Sequence, residues 1–249
     1  MSLVIEPMPA LGVTRVSRWI FNCYVIHDGQ ARPGRWSWTR DCPALLMTSH
    51  RFCASPRRRY KRSSPPTGTV TTSPVLPGLR NATAVAIYLP ERTLGYLDGQ
   101  RPRTPSTAKV AAIWPTIVGQ PFDRAGAAGL VRGSRFAGFG TQRGMLWTGP
   151  TPTGPLLDGQ CLPGAPAWRV IAAPGHTDDS VVLWNETNGT LISGDAVISA
   201  RGQAWITPET VDTAAARTTA QRLTQLSVKH LLPGHGKPVH HSVWASRRS

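Results

Sequence analysis

Three short glycine-containing loops each carry one side chain suited to holding a metal ion: Pro174-Gly175-His176-Thr177, Ser193-Gly194-Asp195-Ala196 and Pro233-Gly234-His235-Gly236. Imidazole and carboxylate are the natural ligand set for zinc, with bonds of about 2.0–2.2 Å. The adjacent glycines let the backbone turn sharply enough to aim each side chain back toward a common point. Taken singly, each of the three reads as readily as a solvated loop residue. Together they point to one shared site, because each follows an apolar run that has the composition of a strand.

Those runs are the elements that must position the ligands. Trp168 to Ala172 reads as a strand entering the His176 loop, and Ser180 to Asn185 as the strand leaving it. Asn188-Gly189 is a turn signal, and Thr190 to Ile192 is a third strand that ends at Asp195. A helix is expected over roughly Pro208 to Leu226, with Thr207 as its N-cap, Pro208 at the first position and Glu209 in the first turn. Its inward face would use Val211, Ala215, Leu223 and Leu226. His230 to Leu232 is then a last strand emptying into the His235 loop. Neighbouring strand ends share one rim of a sheet, so ligands placed there converge without further machinery.

These loops, with Ser180 after His176 and Leu232 before Pro233, resemble the third, fourth and fifth motifs of the metallo-β-lactamase superfamily. The resemblance covers residues 167–239 with specific motifs and 13–29 with weaker ones. It implies a single α/β domain over 1–249, an αβ/βα four-layer sandwich that usually binds two zinc ions. By it, His176 holds the first metal, Asp195 bridges both and is the catalytic carboxylate, and His235 holds the second. The implied reaction is hydrolysis. Water activated between two ions, its pKa lowered toward about 7, attacks an ester, thioester, lactam or phosphoester.

One part of the chain departs from this pattern. The family's main ligand motif, His-x-His-x-Asp-His, belongs near residue 70, after a strand ending in Asp-x-Gly, and neither is present. In their place stands a stretch rich in Pro, Arg, Ser and Thr, with ten Lys or Arg against the single acid Asp41 over residues 31–80. One fifth of the chain thus holds more than half of the net charge of +15. Charge of this size ordinarily signals a polyanionic partner, but its confinement to one stretch calls for another explanation.

The genetic code supplies one. Threonine codons begin with AC, so a frame one base earlier turns each threonine into His, Asp, Asn or Tyr. Thr67, Thr69, Thr71 and Thr72 have the spacing of His-x-His-x-Asp-His. Tryptophan has the single codon TGG, so Trp38-Thr39 becomes Asp and Trp36-Ser37 becomes Val if serine uses a TCN codon. Asp41-Cys42 must become Leu, and Arg40-Asp41 is compatible with Gly. The shifted frame therefore contains an apolar run ending in Asp-x-Gly-Leu, and both missing motifs occur in it in the right order. Residues of about 31–78 are accordingly expected to be read out of frame. The competing reading is a genuine basic insert with a coincidental threonine spacing.

With half of the ligand set missing, weak or no metal binding and negligible activity are expected of the chain as written. His27 and His50 are the upstream imidazoles, and both read as loop or strand-end residues. His230, His240 and His241 flank the last motif and read as structural or exposed, and Lys237 reads as solvated or as a contact for an anionic substrate. Two strands are expected over Val13 to Ile26 and one over Ala84 to Leu89, with a helical segment over 107–118 and Gly- and Pro-rich connections over 133–166. Cys23, Cys42, Cys53 and Cys161 lack C-x-x-C spacing and read as free thiols of a cytoplasmic protein. Glu6, Pro7 and Pro9 precede any apolar run, so neither a leader peptide nor a membrane span is expected. The expected partner is a small-molecule substrate. A non-catalytic protein whose basic arm, Arg57 to Arg62, touches nucleic acid or acidic surfaces is the alternative. Neither the substrate's identity nor the oligomeric state is written in the sequence.

Overall fold

A computed structural model of the protein describes residues 4–18, 21–27, 44–47, 69–71, 87–104, 146–147, 151–241 and 243–244. The expected helical segment over 107–118, the basic run at 57–62 and His50 lie outside them. The basic stretch of 31–80 is described only at residues 44–47 and 69–71, where two short strands run.

The first sheet has seven strands in chain order: β1 (Val4–Met8), β2 (Val13–Arg18), β3 (Phe21–Ile26), β4 (Ala44–Met47), β5 (Thr69–Thr71), β6 (Ile87–Pro90) and β7 (Gly154–Leu156). Pairing is antiparallel from β1 to β4 and parallel from β4 to β7. The second sheet is built from β8 (Cys161–Leu162), β9 (Ala165–Ala172), β10 (Val181–Asn185), β11 (Thr190–Gly194), β14 (His230–Pro233) and β15 (Val239–His240), in the order β15-β14-β11-β10-β9-β8. A separate hairpin pairs β12 (Val197–Ala200) with β13 (Gln203–Ile206). Two α-helices are described, α1 (Glu91–Leu97) and α2 (Thr213–Thr224).

The second sheet is buried on both faces, and its side chains divide between two cores with the period of two that a pleated strand imposes. Val170, Val181, Leu183, Ile192 and Leu232 face the first sheet, where they meet Val13, Tyr24 and Ile26. Their neighbours Ile171, Val182, Trp184, Leu191 and Leu231 face the other way, against Val197 and Leu223 of α2. This is why Val181 to Trp184 reads as an unbroken apolar run. The layering is sheet on sheet with a helix over the outer face of the second.

The strands expected at 13–26, 168–172, 180–185, 190–192 and 230–232 are all present, each within a few residues of its expected bounds. The strand expected over Ala84 to Leu89 is described from Ile87 to Pro90. The stretch 133–166, expected to be connections alone, also contributes the short strands β7 and β8.

The expected helix from Pro208 needs correction. It begins at Thr213, and its cap is Asp212, whose side chain accepts from the Ala215 amide. Residues 207–211 are used differently. Thr207, Glu209 and Thr210 are buried, the Glu209 carbonyl is engaged by His176, and the Val211 and Asp212 amides donate to the Gly175 carbonyl. These tertiary bonds hold the segment outside the helix, overriding the local start signals. The inward face is accordingly Ala216, Thr219 and Leu223, of which only Leu223 belongs to the expected set.

The two sheets are tied where β3 meets the end of β14. The Asn22 side-chain amide donates to the Pro233 carbonyl at 2.9 Å and to the Gly236 carbonyl at 2.6 Å. The Asn22 backbone amide donates to Gly234, and the Tyr24 hydroxyl donates to Pro233 at 2.8 Å. Asn22 is 1% exposed, so no water replaces these bonds if it is removed. Asn22→Leu is therefore expected to lower stability by about 1–3 kcal/mol, measured by denaturant unfolding, whereas a change near zero would show that the tie is not needed.

Candidate functional site

His176, Asp195 and His235 meet at one end of the second sheet. β9 and β10 are antiparallel, so the loop joining them, which carries His176, lies at the end where β9 finishes. β11 and β14 are parallel, with Thr190 opposite His230 and Gly194 opposite Pro233, so the residues that follow each strand leave at a shared edge. Asp195 and His235 are those residues.

The contacts follow. His235 Nδ1 lies 2.7 Å from Asp195 Oδ1, and His176 Nε2 lies 3.8 Å from Asp195 Oδ2. The other nitrogen of His176, Nδ1, pairs with the Glu209 carbonyl at 2.8 Å. Because a carbonyl only accepts, Nδ1 carries the proton in that bond, and Nε2 is left as the atom turned toward Asp195. Burial of His235 opposes its protonation, but the Asp195 carboxylate outweighs it and holds the imidazole pKa above its ordinary value. Burial likewise pushes the Glu209 carboxyl up, with His176 pulling it down and Asp195 pushing it up.

The loops are held by close backbone approach. A Cβ on Gly175 would come within 2.5 Å of Ala216 Cα, so the His176 loop presses directly on α2. A Cβ on Gly236 would come within 2.1 Å of the Ser199 carbonyl oxygen. The Ser199 amide donates to the His235 carbonyl at 3.0 Å, the Gly234 amide to Gly194 at 2.7 Å, and Thr219 Oγ1 to Pro174 at 2.6 Å. Inside the first loop, Thr177 pairs with Ser180 at 2.6 Å. Phe21 contacts the His235 ring edge-on, with centroids 5.0 Å apart.

Three residues with no part in the loop pattern prove central to the site's support: Asn22, Asp179 and Glu209. The signal for Asn22 is a lone amide inside the otherwise apolar run Phe21 to Ile26. Glu209 lies in a segment that reads as a helix start. Of the other candidates, His27 directly follows β3, with its Nε2 2.9 Å from Thr14 Oγ1, and the Lys237 side chain is exposed.

Among the described residues the donor set at the site comprises two imidazoles and one ligand-placed carboxylate, with one Asp195 oxygen already taken up by His235. Among the described residues no group of three or more His, Cys, Asp or Glu is arranged to hold a metal ion. Structural and catalytic zinc alike take three or four protein ligands per ion, so these residues do not fit a two-ion centre.

Asp179 gives the site a pH-dependent support. Burial pushes its carboxyl up, and hydrogen bonds from the Thr177 and Thr93 hydroxyls offset this only in part. A carboxyl raised above its unfolded value of about 3.9 binds its proton more readily in the folded state. Its stabilising contribution is complete below the unfolded value and is lost as pH rises through the folded one. Asp179→Asn, which keeps an acceptor for Thr93, is expected to gain stability relative to the parent as pH is raised from about 4 to neutral. Unfolding curves across that range check it, and a parent-to-variant difference independent of pH would contradict it.

Comparison with known proteins agrees with this architecture. Two Bacillus subtilis (strain 168) proteins are similar over part of their length. The probable metallo-hydrolase YqjP is 29% identical over 129 residues, covering 49% of this chain and 38% of that protein. The probable metallo-hydrolase YflN is 31% identical over 94 residues, covering 31% of this chain and 34% of that protein. The chain thus spans little more than a third of either relative. Among solved structures, TTHA1623 in a di-iron-bound form superposes with a TM-score of 0.51 at 17% identity, over 93% of this chain and 95% of that one. ST1585, an archaeal metallo-beta-lactamase superfamily protein from Sulfolobus tokodaii, gives 0.51 at 15% identity, over 89% and 76%. At such identities the likeness is one of fold. The family model of the metallo-beta-lactamase superfamily matches residues 76–235, which is more than half of the sequence and includes His176, Asp195 and His235, and the chain belongs to that superfamily.

Proposed function

We propose that this chain descends from metal-dependent hydrolases cleaving ester, thioester, lactam or phosphoester bonds, and that as written it is catalytically impaired. The observation that carries the reading is the convergence of His176, Asp195 and His235 from three separate strand ends onto one another. Its imidazole and carboxylate chemistry favours zinc, although a relative of the same fold holds two irons. In this reading His176 and His235 are the surviving terminal ligands and Asp195 is the carboxylate between them.

The impairment follows from the donor count. With three ligand residues and one Asp195 oxygen occupied by the His235 ring, the site supplies too few donors for two ions. The missing donors are those of the motif that the shifted frame contains at Thr67, Thr69, Thr71 and Thr72. The family match begins at residue 76, among the last residues of the basic stretch, and a change of frame ending close to that point would account for its start. On this reading the charge of residues 31–80 is a by-product of frame, so nucleic acid is not the partner and a small-molecule substrate is.

Metal analysis and hydrolase assays on two proteins test the proposal. The chain as written is expected to retain fewer than two ions per molecule after dialysis and to show negligible turnover of ester, thioester and lactam substrates. A version with residues 31–78 restored to the alternative frame is expected to hold two ions and to gain activity. Two tightly held ions in the chain as written would overturn the impairment. A DNA sequence across codons 28 to 84 with no frame that encodes the two motifs would overturn the account of its cause.

A further inference from the structure

A second group of imidazoles stands at the opposite end of β14 from the site. His230 opens that strand and is paired in register with His240 of β15, and the two Nδ1 atoms are 2.9 Å apart. Nitrogens this close share one proton, one ring donating and the other accepting. The rings meet edge to face with centroids 5.1 Å apart, and a third imidazole, His241, lies 6.0 Å from His230. His241 adopts a left-handed φ of 61°, and its amide donates to the Lys229 carbonyl at 2.8 Å. This main-chain bond fixes the start of its side chain beside the pair.

The separation of the two nitrogens is what a metal ion requires. With bonds of about 2.0–2.1 Å to each, an ion replacing the shared proton would subtend an N–M–N angle of roughly 90°. That angle suits the square-planar or octahedral preference of nickel and copper. His240 and His241 are exposed and His230 is half-buried, so water has access to the remaining coordination positions. The groups facing His230 are His240, His241 and Lys229. With burial, which is the larger effect, they hold its pKa below the ordinary value, which keeps a lone pair available at neutral pH. The aliphatic stem of Lys229 lies across Gly189.

We propose that His230 and His240 form a two-imidazole surface site for a borderline divalent cation of the nickel and copper class, with water completing the coordination and His241 joining as a third ligand only after side-chain rotation. The site is distinct from the one containing His235. The two stand at opposite ends of β14, separated by roughly 10 Å of strand at about 3.3 Å per residue, and they share no side chain.

Titration of the full, tag-free chain with nickel ion at neutral pH, followed by calorimetry, tests the proposal. One nickel per chain is expected at this site. His240→Ala, at an exposed position, should weaken it by at least the roughly 10- to 100-fold that loss of even an outer-shell partner costs. His241→Ala should weaken it by less, and His235→Ala should leave it unchanged. Circular dichroism of each variant separates lost binding from lost folding, and His240→Gln is the substitute if the alanine variant unfolds. Nickel affinity unaltered by the change at His240, no binding at all, or binding abolished by His235→Ala would each overturn it.

Discussion

Parallel pairing of β11 with β14 is the constraint on which the rest of the site depends. Two strands running the same way discharge their following residues at the same edge, and only then do Asp195 and His235 lie 2.7 Å apart. Parallel strands need a crossover connection. Here the connection contains the β12–β13 hairpin and α2, and it is put to use. The Ser199 amide from the hairpin bonds the His235 carbonyl, and α2 supplies the surface against which Gly175 is pressed. The register shift between Ile192 and Gly194 falls just before Asp195, as expected of a bulge that re-aims a side chain at the end of a strand.

Much of this was legible in the sequence because burial on both faces leaves a strong signature. Val181 to Trp184 and Leu231 to Pro233 are apolar runs, the second closed by Gly234, and each strand ends where the sequence places it to within a residue or two. The three loop residues were legible for a different reason, since a ligand at a strand end must be followed or preceded by a residue that lets the chain turn. What was not legible is the part fixed by distant contacts. The helix start at Thr213 depends on the Gly175 and His176 bonds to residues 209–212, and no local pattern around Pro208 reports them. The edge strands β7 and β8 are two or three residues long and carry too little apolar periodicity to be seen. The roles of Asn22 and Asp179 likewise reside in their partners.

The electrostatics of the site arise from the same packing. Asp195, His176 and Glu209 are each 7–8% exposed, and enclosing several ionisable groups is unfavourable unless they satisfy one another. His235 and Asp195 do so as a pair, and the Glu209 main chain rather than its carboxylate orients His176. Asp178 is handled similarly a few residues away. Arg103 donates from Nε to both its carboxylate oxygens, at 2.9 and 3.0 Å, and from Nη1 to Asp212 at 3.1 Å. One guanidinium thus links the His176 loop to the cap of α2.

The bond from Asn22 to Gly236 spans 214 residues, so it closes nearly the whole chain into a loop. The entropy of such a closure grows only with the logarithm of loop length, about 0.6 kcal/mol for each doubling. Replacing or lengthening the sequence between residues 31 and 80 therefore barely changes the thermodynamic cost of bringing the ends of the chain together. It bears instead on the rate, because contacts of such long range form late and slowly. A chain with an altered middle can in this way retain the geometry of its last loop while the time needed to assemble it, and the exposure of unpaired strands in the meantime, both increase.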